Sequence, residues 1–136
     1  KKYRIDLILH QNYDLNLDKK YKIGGFHLSY KIFKSLNKNI REKLIKKYKK
    51  IGVSIHSLEE AKEVESLGAT YVVAGHIFET DCKKDLEPRG LKFIEELSST
   101  LTIPIFAIGG INQENSSLVI ESGAFSVCMM SSMMKY

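Results

Sequence analysis

The sequence predicts an α/β fold of the (β/α)8 TIM-barrel class, and three observations carry that prediction. Short apolar runs alternate with helix-patterned segments along the whole length, the pattern of parallel strands joined by right-handed crossovers. A glycine-rich turn, Ile108-Gly109-Gly110-Ile111, comes late, and Ser131-Ser132 closes the next strand, one βα unit further on. This spacing suits the phosphate-binding loops that follow the last two strands of a barrel. A doubly wound sheet would instead carry an early GxGxxG, and the sequence has none. About six strands can be counted, where a full barrel has eight in roughly 200 residues or more. The expectation is one partial barrel domain over residues 1–136, holding strands three to eight, with the first two βα units absent.

In chain order, the runs Tyr3–Leu9, Gly25–Leu28, Ile51–Ile55, Tyr71–Phe78, Ile103–Ile108 and Phe125–Met130 read as strands buried on both sides. Between the second and third, Leu44, Ile45 and Tyr48 recur on one face of a helix whose other face is basic. Ser57-Leu58-Glu59-Glu60 is a capping box, with Ser57 accepting from the Glu60 amide and the Glu60 carboxylate reaching back. Leu58, Ala61, Val64 and Leu67 then form an apolar stripe, and Gly68 supplies the left-handed stop. A third helix, about Leu91 to Ser99, buries Phe93, Ile94 and Leu97, and Pro104 opens the next strand. Asn112 is expected to cap a helix carrying Leu118, Val119 and Ile120, after which Gly123-Ala124 repeats the Gly68-Ala69 signal.

With 43% hydrophobic and 27% charged residues, the composition is that of an ordered domain and excludes disordered and collagen-like chains. No apolar run approaches the roughly 18 to 20 residues that span a bilayer, and no signal-peptide pattern opens the chain, so a cytoplasmic protein with no membrane partner is expected. Cys82 and Cys128 stand far apart without metal-site spacing and read as free thiols. The net charge of +5 is unevenly spread: residues 1–50 hold 15 Lys and Arg against 4 Asp and Glu, a net of +11, and the remainder holds 6 against 12, a net of −6. The densest basic stretch, Arg41 to Lys50, lacks a nucleic-acid recognition motif or interleaved exposed aromatics, and reads as a solvated helix face.

The segment Gly75-His76-Ile77-Phe78-Glu79-Thr80-Asp81-Cys82-Lys83-Lys84 lies at the carboxyl end of a buried strand, where barrels place catalytic groups. His76 closes the apolar run Tyr71-Val72-Val73-Ala74, and a histidine there either moves protons near neutral pH or hydrogen-bonds a loop carbonyl. Ser54 and His56 end the preceding strand on one side of it; Ser54 could donate to a ligand oxygen, and His56 serves equally well to orient the loop before Ser57. Gly109 and Gly110 let backbone amides approach an anion, and Ser131 and Ser132 could complete a phosphate cup. An unliganded tight turn is the alternative for any Gly-Gly pair.

The order Ser54-Ile55-His56-Ser57-Leu58-Glu59-Glu60-Ala61, the Gly75-to-Lys84 string, Ile103-Pro104 through Ile111, and Gly123-Ala124 through Val127 resembles the thiamine phosphate synthase superfamily. Within it, the Gly75-to-Lys84 string is similar to the TenI branch, the thiazole tautomerases. The resemblance runs over about residues 5 to 134 and is strongest from Gly52 onward. Synthases have a Gly-Pro-Ile-Phe-type segment where this chain has Gly75-His76. They also carry an Asn-Asp pair and a further Asp, for diphosphate and Mg²⁺, where this chain has His10-Gln11 and Ile32.

The resemblance therefore implies isomerisation of a carboxythiazole phosphate to its aromatic tautomer, with His76 as general acid/base and no metal or cofactor. Thr80, Gly110, Met130 and Ser131 are the implied thiazole-phosphate contacts, and Lys83 with Thr80 are candidates for the substrate carboxylate. The expected partner is a small thiazole phosphate, with no nucleic acid; the chain itself leaves the oligomeric state open, a homodimer included. The alternatives are a thiamine phosphate synthase with altered metal handling, or a non-catalytic protein that binds thiamine intermediates.

Overall fold

A computed structural model of the chain describes residues 7–11, 22–83 and 85–130. Residues 3 to 6 of the first expected strand lie outside these, as do Ser131, Ser132 and the side chain of Cys82. The elements run β1 (Leu7–His10), β2 (Ile23–Ser29), α1 (Tyr30–Ser35), α2 (Lys38–Lys47), β3 (Lys50–Ile55), α3 (Leu58–Ser66), β4 (Tyr71–Gly75), a 3-10 turn (Asp81–Lys83), α4 (Gly90–Thr100), β5 (Ile105–Ile108), α5 (Ser116–Glu121) and β6 (Ser126–Cys128).

The six strands form one sheet in chain order, and every neighbouring pair is parallel. A doubly wound sheet reverses its order at a switch point; this one never does, so the described residues are six strands of a barrel wall. Among them no helix is long and apolar enough to cross a membrane.

The strand pattern explains which face meets the helices. Phe26 and Leu28 of β2, Ile51, Val53 and Ile55 of β3, and Val72 and Ala74 of β4 are fully buried, together with Phe33, Leu44, Val64, Ile94 and Leu97 from the helices. Burying one such large side chain contributes about 1.5–3 kcal/mol. The other face is not equally buried, contrary to the expectation from the continuous apolar runs. His27, Ser54, Tyr71, Phe106 and Cys128 alternate with the core residues and are half-buried, because they line the concave side and its cleft.

Local signals place the helices. Ser57 Oγ accepts from the Glu60 amide at 3.1 Å, while the Glu60 carboxylate reaches one residue further back than expected, to the amide of His56 at 2.6 Å. The stops of α3 and α5 are the same device used twice. Gly68 and Gly123 take φ of +95° and +103°, and the following amides, of Ala69 and Ala124, return to Val64 and Val119. In α2, Leu44 is buried while Lys38, Lys43, Lys46 and Lys47 face outward, which is the solvated basic face read from the sequence.

Several expected boundaries move: β5 starts at Ile105 instead of Ile103, β6 runs only from Ser126 to Cys128, and two further shifts lie beside the cleft. β4 ends at Gly75, so His76, Ile77 and Phe78 form a loop, although Ile77 and Phe78 still donate to the carbonyls of Ile108 and Gly109. Asn112 does not cap α5. Its Oδ1 accepts from the amides of Glu114 and Asn115, closing a turn, and the helix starts after Asn115. An Asx turn satisfies local amides as well as a cap does, which is why the residue type alone misplaces the start.

Candidate active site at the carboxyl ends of the strands

Parallel pairing brings the carboxyl ends of β3 to β6 together, and a cleft of about 220 Å³ opens there. Ser54 and His56 enter it from β3, His76, Thr80 and Lys83 from the segment after β4, Gly109 and Gly110 from the turn after β5, and Met130 from beyond β6. Every described residue singled out from the sequence thus meets in one place. Val73, Ile108 and Cys128, which strand alternation would have marked, line the cleft from β4, β5 and β6, and Ile55, Gly75 and Ile111 complete the wall.

His76 is buried to 5% exposure, and its Nε2 lies 3.1 Å from the carbonyl oxygen of Leu86. A carbonyl only accepts, so Nε2 carries the hydrogen and the neutral ring keeps its lone pair on Nδ1. The loop-carbonyl bond expected as one reading is thus present, and His76 also lines the cleft. The backbone around it is tied as well, since the His76 carbonyl accepts from the Arg89 amide at 3.0 Å and the Ile77 carbonyl from that of Gly90 at 3.0 Å.

The glycine turn packs on the same loop. Gly109 and Gly110 take φ of +102° and +67°, which side chains avoid. A Cβ on Gly109 would lie 2.3 Å from that of His76, and one on Gly110 would lie 2.4 Å from the Glu79 carbonyl oxygen and 2.7 Å from the Phe78 Cβ. Glycine is thus needed here for contact with the histidine loop as much as for access of an anion. Asn115 braces the turn from α5: its Nδ2 donates to the Gly110 carbonyl at 3.0 Å, and its Oδ1 accepts from the Asn112 amide at 2.9 Å. Nothing in the local sequence distinguishes Asn115 from Asn112 in this task.

His56 is exposed at the rim, with Nδ1 3.5 Å from Glu60 Oε2, so its contacts belong to the start of α3. Ser54 is held from within the sheet, its Oγ 2.8 Å from His27 Nε2, and His27 Nδ1 lies 3.2 Å from the Tyr71 hydroxyl. His27 is half-buried, and its pKa falls from 6.5 to about 4, first because burial disfavours the charged ring and second because His10 is close. The His10 and His27 rings stack at 5.5 Å. Burial raises the pKa of the Tyr71 hydroxyl and of the Cys128 thiol. Neither His27 nor Tyr71 was singled out from the sequence.

The positions at which the resemblance places the metal ligands are engaged otherwise. His10 stacks on His27, Gln11 Oε1 accepts from the Ser29 amide at 3.3 Å, and Ile32 packs against the core. Among the described residues no group of three His, Cys, Asp or Glu could hold a metal ion. These residues do not fit a magnesium site.

A parallel wall of six strands in chain order, with its cleft at the carboxyl ends of the strands and a glycine turn packed on a histidine loop, defines an α/β protein with a half-barrel sheet. Comparison with known proteins makes this specific. The chain belongs to the thiamine monophosphate synthase family, whose model matches residues 1–133. It is 37% identical over 132 residues to a thiamine-phosphate synthase of Halalkalibacterium halodurans, covering 96% of this chain and 60% of that protein. To the thiamine-phosphate synthase of Clostridium acetobutylicum it is 36% identical over 129 residues, 95% of this chain and 59% of the relative. The chain thus spans about 60% of the length of these curated relatives. Among solved structures it is similar to a thiamine phosphate pyrophosphorylase of Pyrococcus furiosus, with a TM-score of 0.76 and 27% identity over 96% of this chain and 60% of that one. The TenI branch is not distinguished by these relatives, whose names are those of synthases.

Proposed function

We propose that the protein is a thiazole tautomerase of thiamine biosynthesis, which converts a non-aromatic carboxythiazole phosphate into its aromatic tautomer. The observation that carries this reading is His76, buried in the cleft with Nε2 committed to Leu86 and Nδ1 left as the atom that can take a proton. In the proposed step Nδ1 removes a proton from the substrate carbon framework, and the resulting imidazolium returns a proton across the conjugated system. One C–H bond breaks, its electron pair shifts the conjugated double bonds into the ring, and a C–H bond forms at the far carbon, so no electrons leave and aromatisation drives the reaction without an added reagent. Backbone amides of Gly109 and Gly110, with Ser131 and Ser132, hold the phosphate and fix the ring against the imidazole. Thr80 and Lys83 are assigned to the substrate carboxylate, and Met130 packs on the ring. The proposed setting is cytoplasmic, with a small-molecule partner and neither nucleic acid nor membrane.

The second reading is a thiamine phosphate synthase, and the names of the relatives favour it. Against it stand the three positions His10, Gln11 and Ile32, which offer no carboxylate for a diphosphate-bound metal. The two readings separate in one experiment on the full protein. Tautomerisation is followed by absorbance in excess chelator, and coupling of pyrimidine diphosphate to thiazole phosphate is followed with Mg²⁺. Metal-independent tautomerisation that falls about 10²- to 10⁴-fold in His76→Asn supports the proposal. Magnesium-dependent coupling, or a near-normal rate in His76→Asn, overturns it.

A further inference from the structure

The concave face carries a polar chain that ends at the cleft. In the strand register His10 pairs with His27, His27 with Gly52, and Gly52 with Tyr71, so these four residues share one row across β1 to β4. The row has a gap at Gly52. A Cβ there would lie 2.0 Å from Tyr71 Cζ and 2.4 Å from its hydroxyl oxygen, so the absent side chain is the space the phenol ring occupies. Crossing β3 through that gap, the Tyr71 hydroxyl comes within 3.2 Å of His27 Nδ1, and the opposite ring nitrogen lies 2.8 Å from Ser54 Oγ. Ser54 is the member of the chain that lines the cleft.

The chain has a direction set by chemistry. A neutral imidazole donates from one nitrogen and accepts at the other. Tyrosine is far more acidic than serine, so the phenol is the better donor and Nδ1 is the acceptor. Nε2 then carries the ring hydrogen and donates to Ser54 Oγ. With that lone pair taken, the Ser54 hydroxyl hydrogen remains for the cleft.

We propose that Tyr71 and His27 are positioning residues that fix Ser54 as a hydrogen-bond donor toward an oxygen of the bound substrate. The direction of the chain stands on its contacts and the acidity of its hydroxyls; the identity of the accepting oxygen, on an anionic thiazole substrate, rests on the tautomerase reading. Three further groups face the chain: His10 from β1 stacks on His27, Cys128 from β6 lies near Tyr71, and Phe106 from β5 packs edge-on against the Tyr71 ring at 5.3 Å. Burial and His10 hold His27 neutral at physiological pH, as the chain requires.

The test begins with the unliganded full protein, labelled with ¹⁵N in its imidazoles, because the tautomer of His27 is readable by NMR without any ligand. The expected state is hydrogen on Nε2, shifting toward Nδ1 in Tyr71→Phe, which keeps the ring and removes only the hydroxyl. Hydrogen on Nδ1 in the wild type, or no response to Tyr71→Phe, overturns the proposal. Calorimetric binding of the aromatic carboxythiazole phosphate supplies the second readout. Tyr71→Phe should weaken it about threefold to tenfold, Ser54→Ala at least as much, and the double variant no more than Ser54→Ala alone. Full affinity in Tyr71→Phe beside a loss in Ser54→Ala overturns the positioning role. If the wild type shows the Nε2 tautomer with its Tyr71 response and yet binds no thiazole, the tautomerase reading falls and the directed chain stands.

Discussion

Acidification should destabilise this protein through His27 as pH falls below neutrality. In the unfolded chain this imidazole takes up a proton as pH falls through 6.5, whereas in the fold it resists until about 4. Protons therefore favour the unfolded state across that interval. The stability contributed by the neutral ring is complete above about pH 7, declines as pH falls from 6.5 to 4, and loses nothing further below. A tenfold difference in proton affinity corresponds to about 1.4 kcal/mol, which sets a ceiling of roughly 3 kcal/mol for this interval. Water reaches part of the ring and screens it, so about half of that, ~1.5 kcal/mol, is the expected loss. The perturbation is His27→Gln, which cannot charge. Urea unfolding at pH 7.5 and pH 5 would be compared for both proteins, so that changes from other groups cancel in the difference. The wild type should lose about 1 kcal/mol more than His27→Gln between the two pH values, and His10→Gln should reduce the wild-type loss by removing the stacked neighbour. Equal pH dependence in wild type and His27→Gln would refute the assignment of a low proton affinity to this ring.

Two further outcomes follow from the glycine turn and its brace. Gly90 and Gly110 both sit at positive φ, but a Cβ on Gly90 meets nothing within 4 Å and one on Gly110 meets the Phe78–Glu79 backbone. Gly90→Ala should cost about 1–2 kcal/mol of backbone strain, and Gly110→Ala should exceed it by about 1–3 kcal/mol of overpacking; equal costs in thermal unfolding would remove the packing argument. Asn115→Ala should lower stability by about 1–2 kcal/mol, since it frees the Gly110 carbonyl and the Asn112 amide, and should weaken the phosphorylated thiazole more than its alcohol in calorimetry. Equal weakening of both ligands would mean that the brace does not shape an anion site.

How much of this was legible in the sequence depends on the distance over which each signal acts. The Ser57 cap of α3, the stops at Gly68 and Gly123 and the apolar stripe of α3 are local, and each stands where the sequence places it. The candidate residues converge because the alternation of strands and helices already implies parallel strands, and parallel strands bring their carboxyl ends together. The Tyr71–His27 contact was not legible, since it joins positions 44 residues apart and depends on the gap at Gly52 in a third strand. The part played by Asn115 was hidden for another reason. Asn112 and Asn115 are chemically identical, and the choice between them is made by where the Gly110 carbonyl points.

The loop that follows β4 and the turn that follows β5 are joined by two backbone bonds, from Ile77 to Ile108 and from Phe78 to Gly109, and by contacts that leave no room for a Cβ. Mechanically they are one body, in which the histidine and the glycine turn lie against each other. On the proposed reading, a phosphate held by that turn would be a handle whose grip is felt at His76 through backbone rather than through the reacting ring. Catalysis gains when remote binding energy is used for orientation in this manner. On the proposed tautomerase reading, a substrate stripped of its phosphate is expected to forfeit turnover as well as affinity, because its ring is then no longer fixed against the imidazole.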